Sequence, residues 1–80
     1  MTRSEIQERL TGIFRELFQN PTLELWDAMT AKDVVGWDSM NNVKLVLMVE
    51  AAFNCRFTLR EIGKQHNVGE FMDLILKKTC

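Results

Sequence analysis

One histidine, two cysteines, one proline and four glycines are all that 80 residues offer of the types that most often carry chemistry or break a chain. With a single His and no Cys-x-x-Cys pair, a structural zinc site lacks ligands. Gly12, Gly36, Gly63 and Gly69 stand alone, so there is no glycine-rich loop to cradle a phosphate. So little Pro and Gly, beside 46% hydrophobic and 26% charged residues, argues against a disordered tail. An excess of one charge is missing too. Ten basic residues face eleven acidic ones for a net charge of −1, and Arg3, Arg9 and Arg15 alternate with Glu5, Glu8 and Glu16 as on a solvated helix surface. Nucleic acid, which draws clustered positive charge, is not an expected partner. No apolar run approaches the ~20 residues that span a bilayer, and the opening MTRSEIQERL has no apolar leader segment. Membrane insertion and secretion are not expected; a soluble cytoplasmic protein in reducing surroundings is the simplest expectation, with Cys55 a half-buried apolar residue and Cys80 a terminal thiol.

What is present is a globular chain of one expected domain, residues 1–80. A chain of this size buries only about 60% of its unfolded surface, so its core has little reserve. Ile6, Leu10, Ile13, Phe14, Leu17 and Phe18 recur at helical spacing in SEIQERLTGIFRELFQN, a first helix that Thr2 with Glu5, or Ser4 with Gln7, would open as a capping box and Asn20-Pro21 would stop. Residues 21–38 follow no period, yet they carry Leu23, Leu25, Trp26, Met29, Val34, Val35 and Trp37; a loop this apolar is expected to pack along the helices as an ordered connection.

The second helix is expected from about Ser39 to Phe53. At about 100° per residue, Leu45, Val46, Val49 and Phe53 share one side, while Met40, Val43 and Leu47 form a second stripe almost opposite. That second stripe needs either a cover from the long loop, through Trp26 or Trp37, or a partner. Thr58-Leu59-Arg60-Glu61 reads as a capping box opening a short third helix through about Gln65, and Asn67-Val68-Gly69-Glu70 repeats the device before a last helix with apolar Val68, Phe71, Met72 and Ile75 and a basic end at Lys77 and Lys78. No segment alternates as a strand would. The expected fold is all-α: a small bundle of three main helices plus one short helix, with a long ordered loop between the first two.

A catalytic constellation does not assemble from this sequence. Nucleophilic catalysis needs Ser or Cys beside a base, and His66 lies in a polar turn; the acids are scattered over outward helix faces. Ser39 stands apart because of its place. The first turn of a helix offers unpaired N–H groups and a partial positive charge, which suit a phosphate ester on a side chain there. Helix physics leaves two readings open: Asp38 or Ser39 caps the helix and nothing more, or Ser39 also carries a modification.

GWDSMNNVKLVLMVEAAFNCRF resembles the signature of acyl carrier proteins and of their relatives in polyketide and nonribosomal peptide synthesis. The family marker is Asp-Ser followed by a hydrophobic residue at the start of the second helix, here Asp38-Ser39-Met40. TAKDVVGWDS resembles the approach to that serine in small stand-alone carriers, VEAAFNCRFT the end of the helix, and NVGEFMDLI the closing helix, so the likeness spans essentially the whole chain.

The resemblance implies that Ser39 accepts 4′-phosphopantetheine from coenzyme A through a separate phosphopantetheinyl transferase that also recognises Asp38. It implies that the arm's own thiol then holds an acyl or aminoacyl group as a thioester, so that the protein is a carrier and not an enzyme. Met40, Val43, Lys44 and Leu47 fall where the family docks its partners, here an acyl- or aminoacyl-loading ligase and downstream synthase or transferase enzymes; a monomer is expected. An acyl pocket is implied near Val46, Phe57 and Ile62. Fatty-acid carriers of the family line this helix with acids, whereas here it keeps only Glu50, with Lys44 and Ala51-Ala52 at places often acidic. Reversing a rim charge rejects some partners and recruits others, which points to a dedicated pathway: polyketide, nonribosomal peptide, modified fatty acid or polysaccharide-linked. The alternative is a non-catalytic helical interaction module docking through the Met40/Val43/Leu47 stripe, with Ser39 only a cap.

Overall fold

A computed structural model describes residues 1–79; Cys80, expected to be a terminal thiol, lies outside the described residues. Four α-helices follow one another, α1 (Arg3–Leu17), α2 (Ser39–Phe53), α3 (Leu59–Gly63) and α4 (Val68–Thr79), and the described residues contain no strand. The long helix α1 packs against both α2 and α4. Its buried side chains are Ile6, Leu10, Ile13 and Phe14; they meet Leu45, Val49 and Phe53 of α2 and Val68, Phe71, Met72 and Ile75 of α4 in one core. The i, i+3, i+4 spacing of these residues puts each set on one face of its helix. The all-α bundle of three main helices and one short one is therefore present as its periodicity predicts.

Helix ends follow local chemistry. Thr2 and Glu5 form the reciprocal capping box of α1, and Thr58 and Glu61 that of α3. Helix α1 stops three residues earlier than Asn20-Pro21 suggests: Gln19 turns left-handed (φ 51°), and the Asn20 N–H reaches back to the Arg15 carbonyl at 3.0 Å. That six-to-one bond satisfies an end carbonyl and closes the helix before proline can act. Asn54 (φ 52°) ends α2 in the same way, with Cys55 N–H on the Glu50 carbonyl at 3.2 Å. Helix α3 is also shorter than expected, ending at Gly63 where Gln65 folds back by its N–H onto the Ile62 carbonyl (3.2 Å) and by its side chain onto the Glu61 carbonyl (2.9 Å).

The connection between α1 and α2 is ordered, as its apolar content requires. Leu23, Leu25, Met29 and Val34 are buried in the common core. Within it, Thr30 and Asp33 form a further capping box around a single 3₁₀ turn, Ala31–Asp33. The loop is fastened to the start of α4: Val68 N–H donates to the Met29 carbonyl at 2.8 Å and Gly69 N–H to the Asp27 carbonyl at 2.9 Å. Two of the N–H groups that a helix start leaves unpaired are thereby satisfied by loop backbone. Asn67 caps the next one, accepting from Glu70 N–H at 2.8 Å, while the Glu70 carboxylate goes one residue beyond the expected box, to His66 N–H at 2.8 Å. Arg3 of α1 clamps the same corner, pairing with Asp27 and Asp73 at 2.9 Å each. These two carboxylates raise its already high pKa.

The loop does not cover the outer stripe of α2. Trp37 turns inward onto Phe14 (centroids 5.2 Å apart, edge to face) and Phe18 (6.1 Å), and Trp26 lies half exposed beside Leu23, Met29 and Val34. Met40, Val43 and Leu47 remain 71%, 59% and 59% exposed. No helix among the described residues is long and apolar enough to cross a membrane.

Candidate functional site

The approach to α2 is a built corner. Val34 accepts from Trp37 N–H at 3.2 Å, closing a turn whose third residue, Gly36, has φ 91°. A type II turn asks for positive φ at that place, which glycine adopts without strain. The first turn of α2 then reaches back over this corner. Asn41 Nδ2 donates to the Gly36 carbonyl at 2.6 Å, and Trp37 Nε1 donates to Asn42 Oδ1 at 3.0 Å. With the Trp37 ring packed on Phe14 and Phe18, the segment that presents Ser39 is tied to the core on one side and to α2 on the other.

Of the two candidate caps, Asp38 takes the role: its Oδ1 accepts from Asn41 N–H at 2.8 Å. Ser39 is the first residue of α2 and is exposed. Its hydroxyl enters no hydrogen bond with any described residue, and the N–H groups of Ser39 and Met40 find no acceptor among them. A free hydroxyl thus stands beside two unpaired N–H donors at the positive end of a 15-residue helix.

Ser39 also stands on the rim of a cleft of about 420 Å³ between the starts of α2 and α4, the end of α3 and the 3₁₀ turn. Val46, Ile62 and Phe71, with Ala31 and Trp37, give it apolar walls, and Thr30, Asn42, Gln65, His66 and Asn67 add polar groups. Two of the three expected pocket residues, Val46 and Ile62, are therefore brought together beside Ser39. Phe57 is not among the lining residues; its ring packs on Phe71 at 5.8 Å between centroids. His66 is exposed in the turn before α4 but lines this cleft, a place its sequence neighbourhood did not signal.

Met40, Val43, Lys44 and Leu47 share one exposed side of α2 with Ala51. Glu50, the only acid of the helix, does not add a free negative charge to that side, because it is half buried and its Oε2 accepts from Phe57 N–H at 2.8 Å. Cys55 is half buried as expected, and burial, followed by the nearby Glu50 charge, pushes its thiol pKa up. A protonated thiol is a poor nucleophile. No three His, Cys, Asp or Glu side chains among the described residues gather closely enough to hold a metal ion.

No protein-family model matches the chain, and no curated protein matches it. Among solved structures, the solution NMR structure of a holo acyl carrier protein from Geobacter metallireducens has the same fold, with a TM-score of 0.85. The two sequences are 35% identical, over 90% of this chain and 83% of that one.

Proposed function

This chain belongs to the acyl carrier protein family and is a carrier protein, and we propose that Ser39 is where it carries its 4′-phosphopantetheine arm. The observation that supports this most directly is the division of labour at the start of α2: Asp38 caps the helix, leaving the Ser39 hydroxyl exposed, unbonded and next to two free N–H groups. The residues fit the group. A phosphodiester on Ser39 Oγ would meet the Ser39 and Met40 N–H donors and the positive end of the α2 dipole. On attachment, Oγ gives up its proton and bonds to phosphorus, and adenosine 3′,5′-bisphosphate leaves from coenzyme A. The arm supplies a thiol for thioester exchange. Asp38 holds the first turn in shape for the phosphopantetheinyl transferase.

On this reading the chain works as one domain, residues 1–80, without catalysis of its own. It presents a thioester to a loading ligase and to downstream synthase or transferase enzymes in the cytoplasm. Those partners dock on Met40, Val43, Lys44 and Leu47. The exposed side of α2 bears a single charge, the positive Lys44, so a matching enzyme surface is apolar with a carboxylate at its rim. That charge pattern favours a dedicated biosynthetic pathway over general fatty-acid synthesis.

Incubation with coenzyme A, magnesium and a broad-specificity transferase is expected to add one phosphopantetheine by intact mass, and Ser39→Ala to abolish the gain. A gain that survives Ser39→Ala would refute the site. The interaction-module reading requires a partner that binds equally well before and after modification, lost in Leu47→Asp and kept in Ser39→Ala. The exposed stripe serves both readings, and family membership favours the carrier.

A further inference from the structure

The cleft beside Ser39 sets amide side chains next to an apolar wall, groups that a plain hydrocarbon chain has no use for. Three of its side chains are amides: Gln65 spends its Nε2 on the Glu61 carbonyl at 2.9 Å, and the other two are held by their oxygens. Asn42 Oδ1 is taken by the Trp37 indole N–H at 3.0 Å, and Asn67 Oδ1 by the Glu70 backbone N–H at 2.8 Å. Neither amide can be flipped without bringing two donors face to face. Each therefore keeps its Nδ2 as a donor, and neither Nδ2 gives a hydrogen bond to any described residue. Both residues are half buried, and both line the cleft that has Val46, Ile62 and Phe71 as its apolar wall. A saturated chain seated there would strip water from two amide donors and give them nothing in return. A site arranged to hydrogen-bond a substrate oxygen discriminates against the analogue lacking it.

We propose that this cleft selects a short acyl group bearing an oxygen substituent near its thioester, a hydroxyl or keto oxygen accepting from Asn42 Nδ2 and Asn67 Nδ2 while its carbon chain rests on Val46, Ile62 and Phe71. The proposal rests on Ser39 bearing the arm, since the cleft opens at that residue. The carbonyl oxygens of the arm itself have the same acceptor chemistry, and the test separates the two sources.

The protein is loaded from coenzyme A, butyryl-coenzyme A and 3-hydroxybutyryl-coenzyme A, and intact mass is read first. Absence of any gain overturns the Ser39 assignment, and the cargo proposal with it. With loading complete, ¹⁵N-correlated spectra follow the side-chain amide signals of Asn42 and Asn67. They are expected to move in the 3-hydroxybutyryl form and stay in place in the butyryl and unacylated forms. Equal movement in the unacylated form would assign the donors to the arm and overturn the cargo proposal; no movement in any form would overturn it as well. Asn42→Asp and Asn67→Asp keep the acceptor oxygens that hold Trp37 and Glu70 but remove the donors. Measured against the same thioesters on free pantetheine, the 3-hydroxybutyryl thioester is expected to outlast the butyryl one about fivefold, the scale of one net hydrogen bond. That advantage should disappear in the two Asp variants; its persistence there would refute the role of the amides.

Discussion

Alanine at Gly69 and alanine at Gly12 should move stability in opposite directions, although both glycines lie inside helices. A Cβ on Gly69 would sit 2.9 Å from Asp27 Cβ, 3.0 Å from the Asp27 carbonyl oxygen and 3.1 Å from its Cα. Ordinary contact begins near 3.4 Å. Two of the three neighbours are backbone atoms, so no rotamer change relieves the overlap and the loop itself must move away. Overpacking of this kind costs about 1–3 kcal/mol. The shift would also lengthen the Gly69–Asp27 and Val68–Met29 hydrogen bonds, each contributing about 1 kcal/mol net. Alanine's better helix propensity returns at most about 1 kcal/mol. The balance is a loss of about 2 kcal/mol, a serious fraction of the roughly 4–12 kcal/mol expected of 80 residues.

A Cβ on Gly12 meets nothing within 4 Å, so there the propensity gain of about 0.5–1 kcal/mol stands alone. For a domain this small, 1 kcal/mol moves the thermal midpoint by about 4–8 °C. Gly69→Ala should therefore melt roughly 8–16 °C below the parent and Gly12→Ala a few degrees above it, followed by circular dichroism, with urea midpoints shifting at unchanged slope. Adding Asp27→Gly to Gly69→Ala removes only one of the three close atoms and should rescue little. If both single alanines raise the midpoint, the loop is not seated on α4 as described.

Asp38→Ala should cost about 1 kcal/mol, the usual value of an N-cap, whereas Ser39→Ala should stay within about 0.5 kcal/mol of the parent, because Ser39 caps nothing; urea titration separates the two. In a Cys80→Ser background, Cys55 should alkylate slowly at neutral pH, with a rate still rising above pH 9.0, the ordinary thiol value that burial and Glu50 push upward. A fast phase that appears only after phosphopantetheine loading would belong to the arm. Glu5 and Glu61 both titrate below the ordinary 4.5, Glu5 because the Thr2 N–H donates to it and Glu61 because of Lys78 and then Thr58. A depressed carboxyl stabilises the fold above its unfolded pKa and loses that contribution as pH falls through the folded one. Urea midpoints should accordingly decline below about pH 4.5, and less steeply in Glu5→Gln/Glu61→Gln.

The parts of this architecture that sequence reveals are the ones encoded locally. The 3.6-residue spacing of Ile6, Leu10, Ile13 and Phe14, or of Val68, Phe71, Met72 and Ile75, announces both a helix and its buried face. Thr2/Glu5 and Thr58/Glu61 sit three residues apart because their mutual bonds span one turn. Thr30-Ala31-Lys32-Asp33 has the same signature but opens only a single turn, with no apolar period behind it to mark a helix. Contacts made across the chain leave no such trace. Nothing in Asp27 or Gly69 states that one backbone lies on the other, or that Trp37 seeks Phe14 instead of the α2 stripe. At the site, Ser39 and Asp38 were legible from their place before an apolar run. The cleft was only half legible: Val46 and Asn42, one turn apart, face it because α2 is regular, whereas His66 and Asn67 join it through the packing of separate elements.

The two apolar faces of α2 answer to different demands. Leu45, Val49 and Phe53, with Met48 packed beside them, complete the core with α1 and α4. Met40, Val43 and Leu47 stay mostly exposed and lie outside that core, yet exposing three large apolar side chains along one face invites non-specific association. A helix shaped by stability alone would be polar there. The stripe begins one residue after Ser39 and, at 1.5 Å per residue, runs about 10 Å along the axis to Leu47. Any surface that buries it lies against the base of a group attached to Ser39. On the proposed reading, recognition and delivery are thereby coupled by geometry: the enzyme that covers the stripe is the one within reach of the arm, and a hydroxyl at the first position of α2 is where that coupling is tightest.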